Sequence, residues 1–177
     1  MSMRKIAFTG HRLSKLPFTD ESDPRCAELQ RKLFCEAQKH LQPDQTVFLS
    51  GMANGVDLWA AEAVVLLKNA FPLHDIQLWA VVPYRRQMAS WPKALQDRYQ
   101  EILSQADKVI LISEEYTPAC LHQRNQRLVD EADHLIAVYD GKQAGGTKET
   151  IDYARKKGLD ITIIEPYEEV ESIAPVH

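Results

Sequence analysis

The segment Val47-Phe48-Leu49-Ser50-Gly51-Met52-Ala53-Asn54-Gly55-Val56-Asp57 decides the fold. Its first three residues form a short apolar run that predicts a strand, and the following run from Val56 to Phe71 is long enough for a helix. That helix is apolar almost all round, so we expect it to be buried on more than one side. Between the two, Gly51 and Gly55 let the backbone adopt positive φ or approach another group closely. A strand, a tight loop and a helix in this order are the unit of an α/β sheet.

The same unit recurs along the chain. Further short apolar runs predict strands at Ile6–Phe8, Ile76–Val82, Val109–Ile112, Leu135–Tyr139 and Ile161–Ile164, with Pro83 closing the third strand. Helices are predicted between them: one begins at Asp23-Pro24 with an apolar stripe at Cys26, Leu29, Leu33, Ala37 and Leu41, one is capped by Ser90, one covers Leu121–Ala132, and the last ends at Gly158.

This order of elements predicts an α/β fold of three layers. Solid apolar strands, rather than alternating ones, favour a mainly parallel sheet of about six strands with helices on both faces. We expect a single domain over residues 1–177, with an acidic tail from about residue 166 that packs loosely.

Composition excludes several classes of protein. The net charge of −4 gives no general attraction to nucleic acid. No apolar run approaches 18 residues and no signal peptide is apparent, so we expect a cytoplasmic protein without a membrane span. The cysteines Cys26, Cys35 and Cys120 have no paired spacing, which suits a reducing compartment. The histidines show no metal-ligand spacing, and no nucleophile motif supports covalent catalysis, so we expect no metal and no required cofactor.

In an open parallel sheet, ligands bind outside the carboxyl ends of the strands. Five loops lie there: Thr9–Arg12, Ser50–Asp57, Pro83–Gln87, Ser113–Arg124 and Asp140–Thr147. Two of them are glycine junctions before a helix, and the free amides and positive dipole of a helix start attract anions. Thr147 can cap its helix and also offer a hydroxyl to a phosphate. The alternative is an ordinary glycine turn in which Asn54 or Asp57 caps the helix.

Basic residues also gather in or beside these loops, namely Arg12, Arg85, Arg86, Arg124, Lys142 and Lys148. Arginine suits a bidentate contact with phosphate, whereas the alternative is solvated surface charge. His11 follows Gly10 at the end of the first strand, where its ring can stack on a ligand or serve as a plain turn residue.

The loops resemble a known superfamily. Ser50-Gly51-x-Ala53-x-Gly55-x-Asp57 is similar to the SGxAxGxDxxA signature of the DprA/Smf proteins, and Arg124-Asn125 with Gly145-Gly146-Thr147 resembles the Lonely-guy phosphoribohydrolases. Both groups belong to the SLOG superfamily of Rossmann-like nucleotide-binding domains. Thr9-Gly10-His11-Arg12, together with Pro83, Gln87 and Trp91, resembles the YpsA-like subfamily within it. The resemblance runs from about residue 6 to residue 164.

The resemblance implies that the chain binds or senses a nucleotide or a nucleotide-derived phosphate ligand such as an ADP-ribose-like molecule. From the loops and the resemblance together, the residues expected at the ligand are Gly10, His11, Arg12, Ser50, Gly51, Met52, Ala53, Gly55, Asp57, Pro83, Arg124, Asn125, Gly145, Gly146 and Thr147.

Two further functions follow from the same resemblance. The Lonely-guy enzymes cleave a nucleoside 5′-monophosphate with an arginine and a glutamate, for which Arg124 and Glu149 are the candidates, although Glu149 lies one position earlier than the glutamate of the PGGxGTxxE motif. The second further function is single-stranded DNA binding in the manner of DprA. The acidic net charge argues against it, as does the lack of a stripe of basic residues interleaved with aromatic ones. The apolar helix from Val56 is also compatible with a homodimer.

Overall fold

The computed structural model describes residues 3–167. In chain order the elements are β1 (Met3–Gly10), a 3-10 helix (Leu13–Lys15), α1 (Pro24–Lys39), β2 (Gln45–Ser50), α2 (Val56–Ala70), β3 (Asp75–Tyr84), α3 (Lys93–Ser104), β4 (Lys108–Ser113), α4 (Cys120–Glu131), β5 (His134–Val138), α5 (Gly146–Lys157) and β6 (Asp160–Ile164).

The six strands form one sheet in the order β4-β3-β2-β1-β5-β6, and every neighbouring pair is parallel. Helices α1, α2 and α3 pack on one face and α4 and α5 on the other, because side chains along each strand alternate between two separate apolar clusters. The predicted three-layer α/β fold with a parallel sheet is therefore confirmed.

The central strand β1 lies between β2 and β5, and the sheet is built outward from it in two directions. Phe8 stacks on Phe48 of β2 with ring centroids 5.8 Å apart, on the face that α1 and α2 cover. Ala7 faces the other way and contributes to the cluster beneath α4 and α5. Each of these side chains is fully buried, so burial on both faces explains why the strand reads as a continuous apolar run.

Local chemistry at the helix ends follows the sequence in two cases. The Asp23 carboxylate accepts a hydrogen bond of 2.9 Å from the Arg25 amide, which caps α1, and Pro24 is its first residue. Gly158 ends α5 in the left-handed conformation, with φ of 80°. The predicted stripe residue Leu41 lies past the end of α1, because the helix stops at Lys39.

Two other local predictions are wrong, whereas the strand predicted at Val109–Ile112 lies within β4. Pro83 does not close β3 but lies within it, because β2 pairs with β3 only as far as Ala80, so no neighbour on that side needs the missing amide. Ser90 does not cap α3, which begins at Lys93 after Pro92. Val109 is half exposed, because β4 is an edge strand and is not covered on both faces.

The acidic tail predicted from about residue 166 lies, after Tyr167, outside the described residues. Within residues 3–167, none of the helices has both the length and the apolar character needed to cross a membrane.

Candidate functional site

A cavity of about 250 Å³ opens at the carboxyl edge of the sheet. It lies at the end of β1, the strand between β2 and β5. The strand order reverses at this point, because β2, β3 and β4 follow on one side of β1 and β5 and β6 follow on the other. Such a switch point is where open α/β sheets bind ligands. We call this space the rim cavity; its lining residues are Thr9, Gly10, Arg12, Lys15, Ala53, Asp57, Leu121, Arg124, Asn125, Leu128, Gly146 and Thr147.

The two glycine junctions meet in the rim cavity. Ala53 and Asp57 come from the junction after β2, and Gly146 and Thr147 come from the junction after β5. Residues from both junctions therefore line one cavity, and β1 adds Gly10 to the same lining.

At the junction after β5, the start of α5 faces the rim cavity. Gly145 precedes the helix with φ of 133°, a conformation that only glycine adopts readily. Thr147 lies in the first turn and does not act as the cap that the sequence suggested. Its side chain is only 8% exposed, yet its hydroxyl has no hydrogen-bond partner among residues 3–167. The hydroxyl of Thr9, 7% exposed, is likewise unpartnered in that range.

Hydrogen bonds from neighbouring side chains fix the junction after β2. The Gln87 side-chain amide donates to the carbonyl oxygens of Gly51 and Met52 at 3.4 and 3.3 Å. Met52 is fully buried with φ of 59°, a left-handed conformation that few residues other than glycine adopt. The Ser50 hydroxyl donates to the carbonyl of Asp57 and accepts from the Met52 amide. Ser50 and Met52 therefore shape the loop and do not line the rim cavity.

The glycines of this junction make room for protein, not for ligand. A Cβ on Gly51 would lie 2.6 Å from a guanidinium nitrogen of Arg124, and one on Gly55 would lie 2.8 Å from the Leu13 amide nitrogen. The first α2 amide, that of Val56, donates to the carbonyl of His11. Because that amide already has a partner, the start of α2 offers less to an anion than the start of α5 does.

Arg124 holds the wall of the rim cavity together. Nη1 donates to the Gly51 carbonyl at 2.6 Å, and Nε donates to Oδ1 of Asn125 at 2.8 Å. The side chain is buried, and it comes from the face of α4 that also carries Leu121 and Leu128. Leu121 lies three residues before Arg124 and Leu128 lies four residues after it, so all three share one face of the helix. The two leucines were not predicted at the site, but this spacing from Arg124 could have identified them.

Two exposed cations stand at the mouth of the rim cavity. The Arg12 side chain has no hydrogen bond or ion pair with any residue in the range 3–167. Lys15, which sequence reasoning also missed, donates to the carbonyl of Ala144 at 3.4 Å, while Gln143 donates to the carbonyl of Lys15. The 3-10 helix thus ties the β1 end to the loop before α5.

The lining carries more positive than negative charge. It includes three cations, Arg12, Lys15 and Arg124, and one carboxylate, Asp57, in a chain whose net charge is −4. Burial raises the pKa of the Asp57 carboxyl, and the nearby Arg124 guanidinium and the Ala53 amide oppose that rise. Burial lowers the pKa of Arg124, which Asp57 counteracts, and a guanidinium stays charged at neutral pH. The rim cavity is therefore suited to an anion.

Some predicted residues lie outside this lining. Pro83 sits within β3, and Glu149 is exposed on α5, so Arg124 and Glu149 are not brought together in the cavity. Thr150 occupies the buried position three residues after Thr147, where its hydroxyl donates to the carbonyl of Gly146. His11 does not line the cavity either, although its two neighbours in the chain do.

The fold and the position of the cavity are those of the Rossmann-like α/β proteins. Comparison with known families narrows this class: the chain belongs to the YspA SLOG family, whose model matches residues 6–169. It is similar to a UPF0398 protein of Bacillus cereus strain B4264, with 33% identity over 162 residues that cover 88% of this chain and 85% of the relative. A UPF0398 protein of Bacillus thuringiensis strain Al Hakam is similar to the same extent, with 33% identity and the same coverage of both chains.

Proposed function

We propose that this protein binds a nucleotide-derived phosphate ligand in the rim cavity. The observation that carries the proposal is the convergence of the α5 start, two threonine hydroxyls and the Arg12 guanidinium on one cavity, where none of the three side chains has a hydrogen-bond partner among residues 3–167. Groups of this kind are the usual partners of phosphate oxygens: helix amides, hydroxyls and arginine. The family membership of the chain supports the same class of ligand.

The α5 start, Thr147, Arg12 and Asp57 have distinct parts in the proposed complex. The phosphate lies against the amides of Gly146 and Thr147, with the Thr147 hydroxyl donating to one of its oxygens. Arg12 closes over the anion from the mouth of the cavity. Asp57 accepts a hydrogen bond from a sugar hydroxyl, as an acidic side chain does in other Rossmann-like sites. The cavity, at about 250 Å³, is slightly smaller than the roughly 300–1,000 Å³ of drug-sized sites, so it takes a ribose phosphate moiety and leaves the rest of the ligand outside.

The test is a binding screen by thermal shift and titration calorimetry with AMP, ADP, ADP-ribose and NAD. Arg12→Ala is expected to weaken the affinity roughly 10- to 100-fold, because a hydrogen bond to a charged group is worth about 1.5–3 kcal/mol. Thr147→Val removes one neutral hydroxyl while keeping the shape of the side chain, and it is expected to weaken the affinity about five- to tenfold.

Arg86→Ala is the matched control. Arg86 is an exposed arginine in a loop at the same edge of the sheet, but it does not line the rim cavity, so its loss changes the net charge equally. Unchanged affinity in this variant, with weakened affinity in the other two, supports the proposal. No binding of any of the four compounds by the wild-type protein, or equal weakening by Arg12→Ala and Arg86→Ala, contradicts it.

A further inference from the structure

His11 joins the two glycine junctions that border the rim cavity. Its backbone carbonyl accepts a hydrogen bond of 3.4 Å from the Val56 amide at the start of α2. Its imidazole points to the other side, where Nε2 lies 3.6 Å from a carboxylate oxygen of Asp140, in the loop that leads to α5. The two residues that flank it, Gly10 and Arg12, both line the cavity.

The imidazole is buried without a hydrogen bond to Nε2. The side chain is 3% exposed, and Nε2 has no partner within the described part of the chain. A buried polar nitrogen without a partner costs free energy, and it calls for a physical reason. At 3.6 Å, the contact with Asp140 is too long for a hydrogen bond but short enough to become one after a small movement.

The groups that face His11 pull its protonation in opposite directions. Burial lowers its pKa, the Asp140 carboxylate opposes that effect, and Lys15 of the 3-10 helix reinforces it. The Tyr139 ring, directly after β5, lies with its centroid 5.7 Å from that of the imidazole. The Asp140 carboxylate is held in place by the amides of Lys142 and Gln143, so it stays available as a fixed negative partner.

A bound anion changes this balance. It offsets the field of Lys15, the cation that otherwise disfavours a proton on the imidazole. We infer that anion binding in the rim cavity is coupled to proton uptake by His11, whose imidazolium then donates to Asp140 and fastens the β1 end to the loop before α5. This inference rests on the proposed function and adds regulation by pH to it. Ligand affinity rises as the pH falls from 8 to 6.

ADP-ribose is the probe, because both of its phosphates are esterified and do not titrate between pH 6 and 8. Calorimetry at pH 6, 7 and 8, in two buffers of different ionisation enthalpy, measures both the affinity and the number of protons taken up. A one-unit rise in the pKa of His11 on binding corresponds to an affinity gain of up to tenfold at low pH. Because burial holds the pKa of unliganded His11 below its usual value, the full tenfold is reached only below pH 6, so we expect a complex about two- to sevenfold tighter at pH 6 than at pH 8, with net proton uptake on binding.

Two variants and one direct measurement separate the outcomes. His11→Gln and Asp140→Asn are each expected to lose the pH dependence, and an NMR titration of the His11 ring protons in the wild-type protein is expected to show a higher pKa with ADP-ribose than without it. Binding with equal affinity at all three pH values, an unmoved His11 titration, or a pH dependence that persists in His11→Gln overturns the inference and leaves the proposed function intact. No binding of ADP-ribose at any pH also overturns the inference, and the proposed function falls with it only if AMP, ADP and NAD fail to bind as well.

Discussion

Replacing Arg124 by methionine removes the buried guanidinium while keeping a side chain of similar length. The variant loses the 2.6 Å hydrogen bond to the Gly51 carbonyl and the 2.8 Å hydrogen bond to Asn125. It also removes the cation that most strongly opposes the burial-induced rise in the pKa of Asp57. Removing one member of a buried charged network costs about 3–5 kcal/mol. For a chain of this size, 1 kcal/mol corresponds to about 2–4 °C, so we expect the Tm to fall by roughly 6–20 °C.

The sign of the pH dependence follows from Asp57. Burial raises the pKa of its carboxyl, so the folded state binds the proton more tightly than the unfolded chain does. Stability from such a group is present at low pH and is lost as the pH rises through the folded pKa. Without Arg124 the pKa of Asp57 rises further, and the cost of Arg124→Met is therefore larger at pH 8 than at pH 5.

Guanidinium denaturation followed by tryptophan fluorescence measures these differences, since Trp59 is buried in the core. Arg86→Met is the control for the loss of one arginine from the same edge of the sheet. Adding Asp57→Asn to Arg124→Met is expected to recover part of the loss, because a neutral amide needs no counter-charge. A cost below about 1 kcal/mol for Arg124→Met, equal at both pH values, would refute the reasoning.

Three further predictions concern glycine geometry and acid stability. Gly55→Ala is expected to destabilise the fold by at least about 2 kcal/mol more than Gly141→Ala, as measured by denaturant titration. Both glycines have positive φ, but only a Cβ at position 55 meets backbone atoms. Gly146→Ala is expected to fold normally and to bind ADP-ribose more weakly, because its new Cβ meets only the Asn125 side chain, at an ordinary contact distance of 3.5 Å, and lies in the cavity lining. Circular dichroism close to that of the wild type, with weaker binding by calorimetry, would show this. The ring centroids of His40 and His134 lie 4.4 Å apart with their planes tilted by 49°, and burial lowers both pKa values. Stability is therefore complete above about pH 7 and falls with acidification by at most about 1.4 kcal/mol per pH unit for each histidine; an unchanged slope in His134→Gln would contradict this.

The fold could be predicted because its strands are short and buried on both faces. Val47–Leu49 and Ile6–Phe8 are apolar at every position for that reason, and only a parallel sheet between helices buries them so completely. The details that were predicted wrongly depend on how neighbouring strands pair, which local sequence patterns do not contain. Pro83 is tolerated inside β3 only because β2 has already ended, a fact of register that no local pattern contains.

The site could be located but not resolved in detail. The rule that ligands bind at the carboxyl ends of parallel strands identified the two glycine junctions, and both contribute to the rim cavity. The role of Gly51 was not predictable, because its missing side chain leaves room for Arg124, which is 73 residues away in the chain. Nor could the sequence distinguish Arg124, which is hydrogen-bonded, from Arg12, whose side chain has no hydrogen bond within the described range, since such partners are a property of the folded chain.

Both glycine junctions are proposed to contact one phosphate-bearing ligand. A titration of the ¹⁵N-labelled protein with ADP-ribose, followed by amide chemical shifts, is the decisive measurement. We expect the amides of Ala53, Gly146 and Thr147 to shift together along a single saturating curve, while that of Arg86 stays in place. Shifts at one junction without the other, or no saturable shift at either, would contradict it.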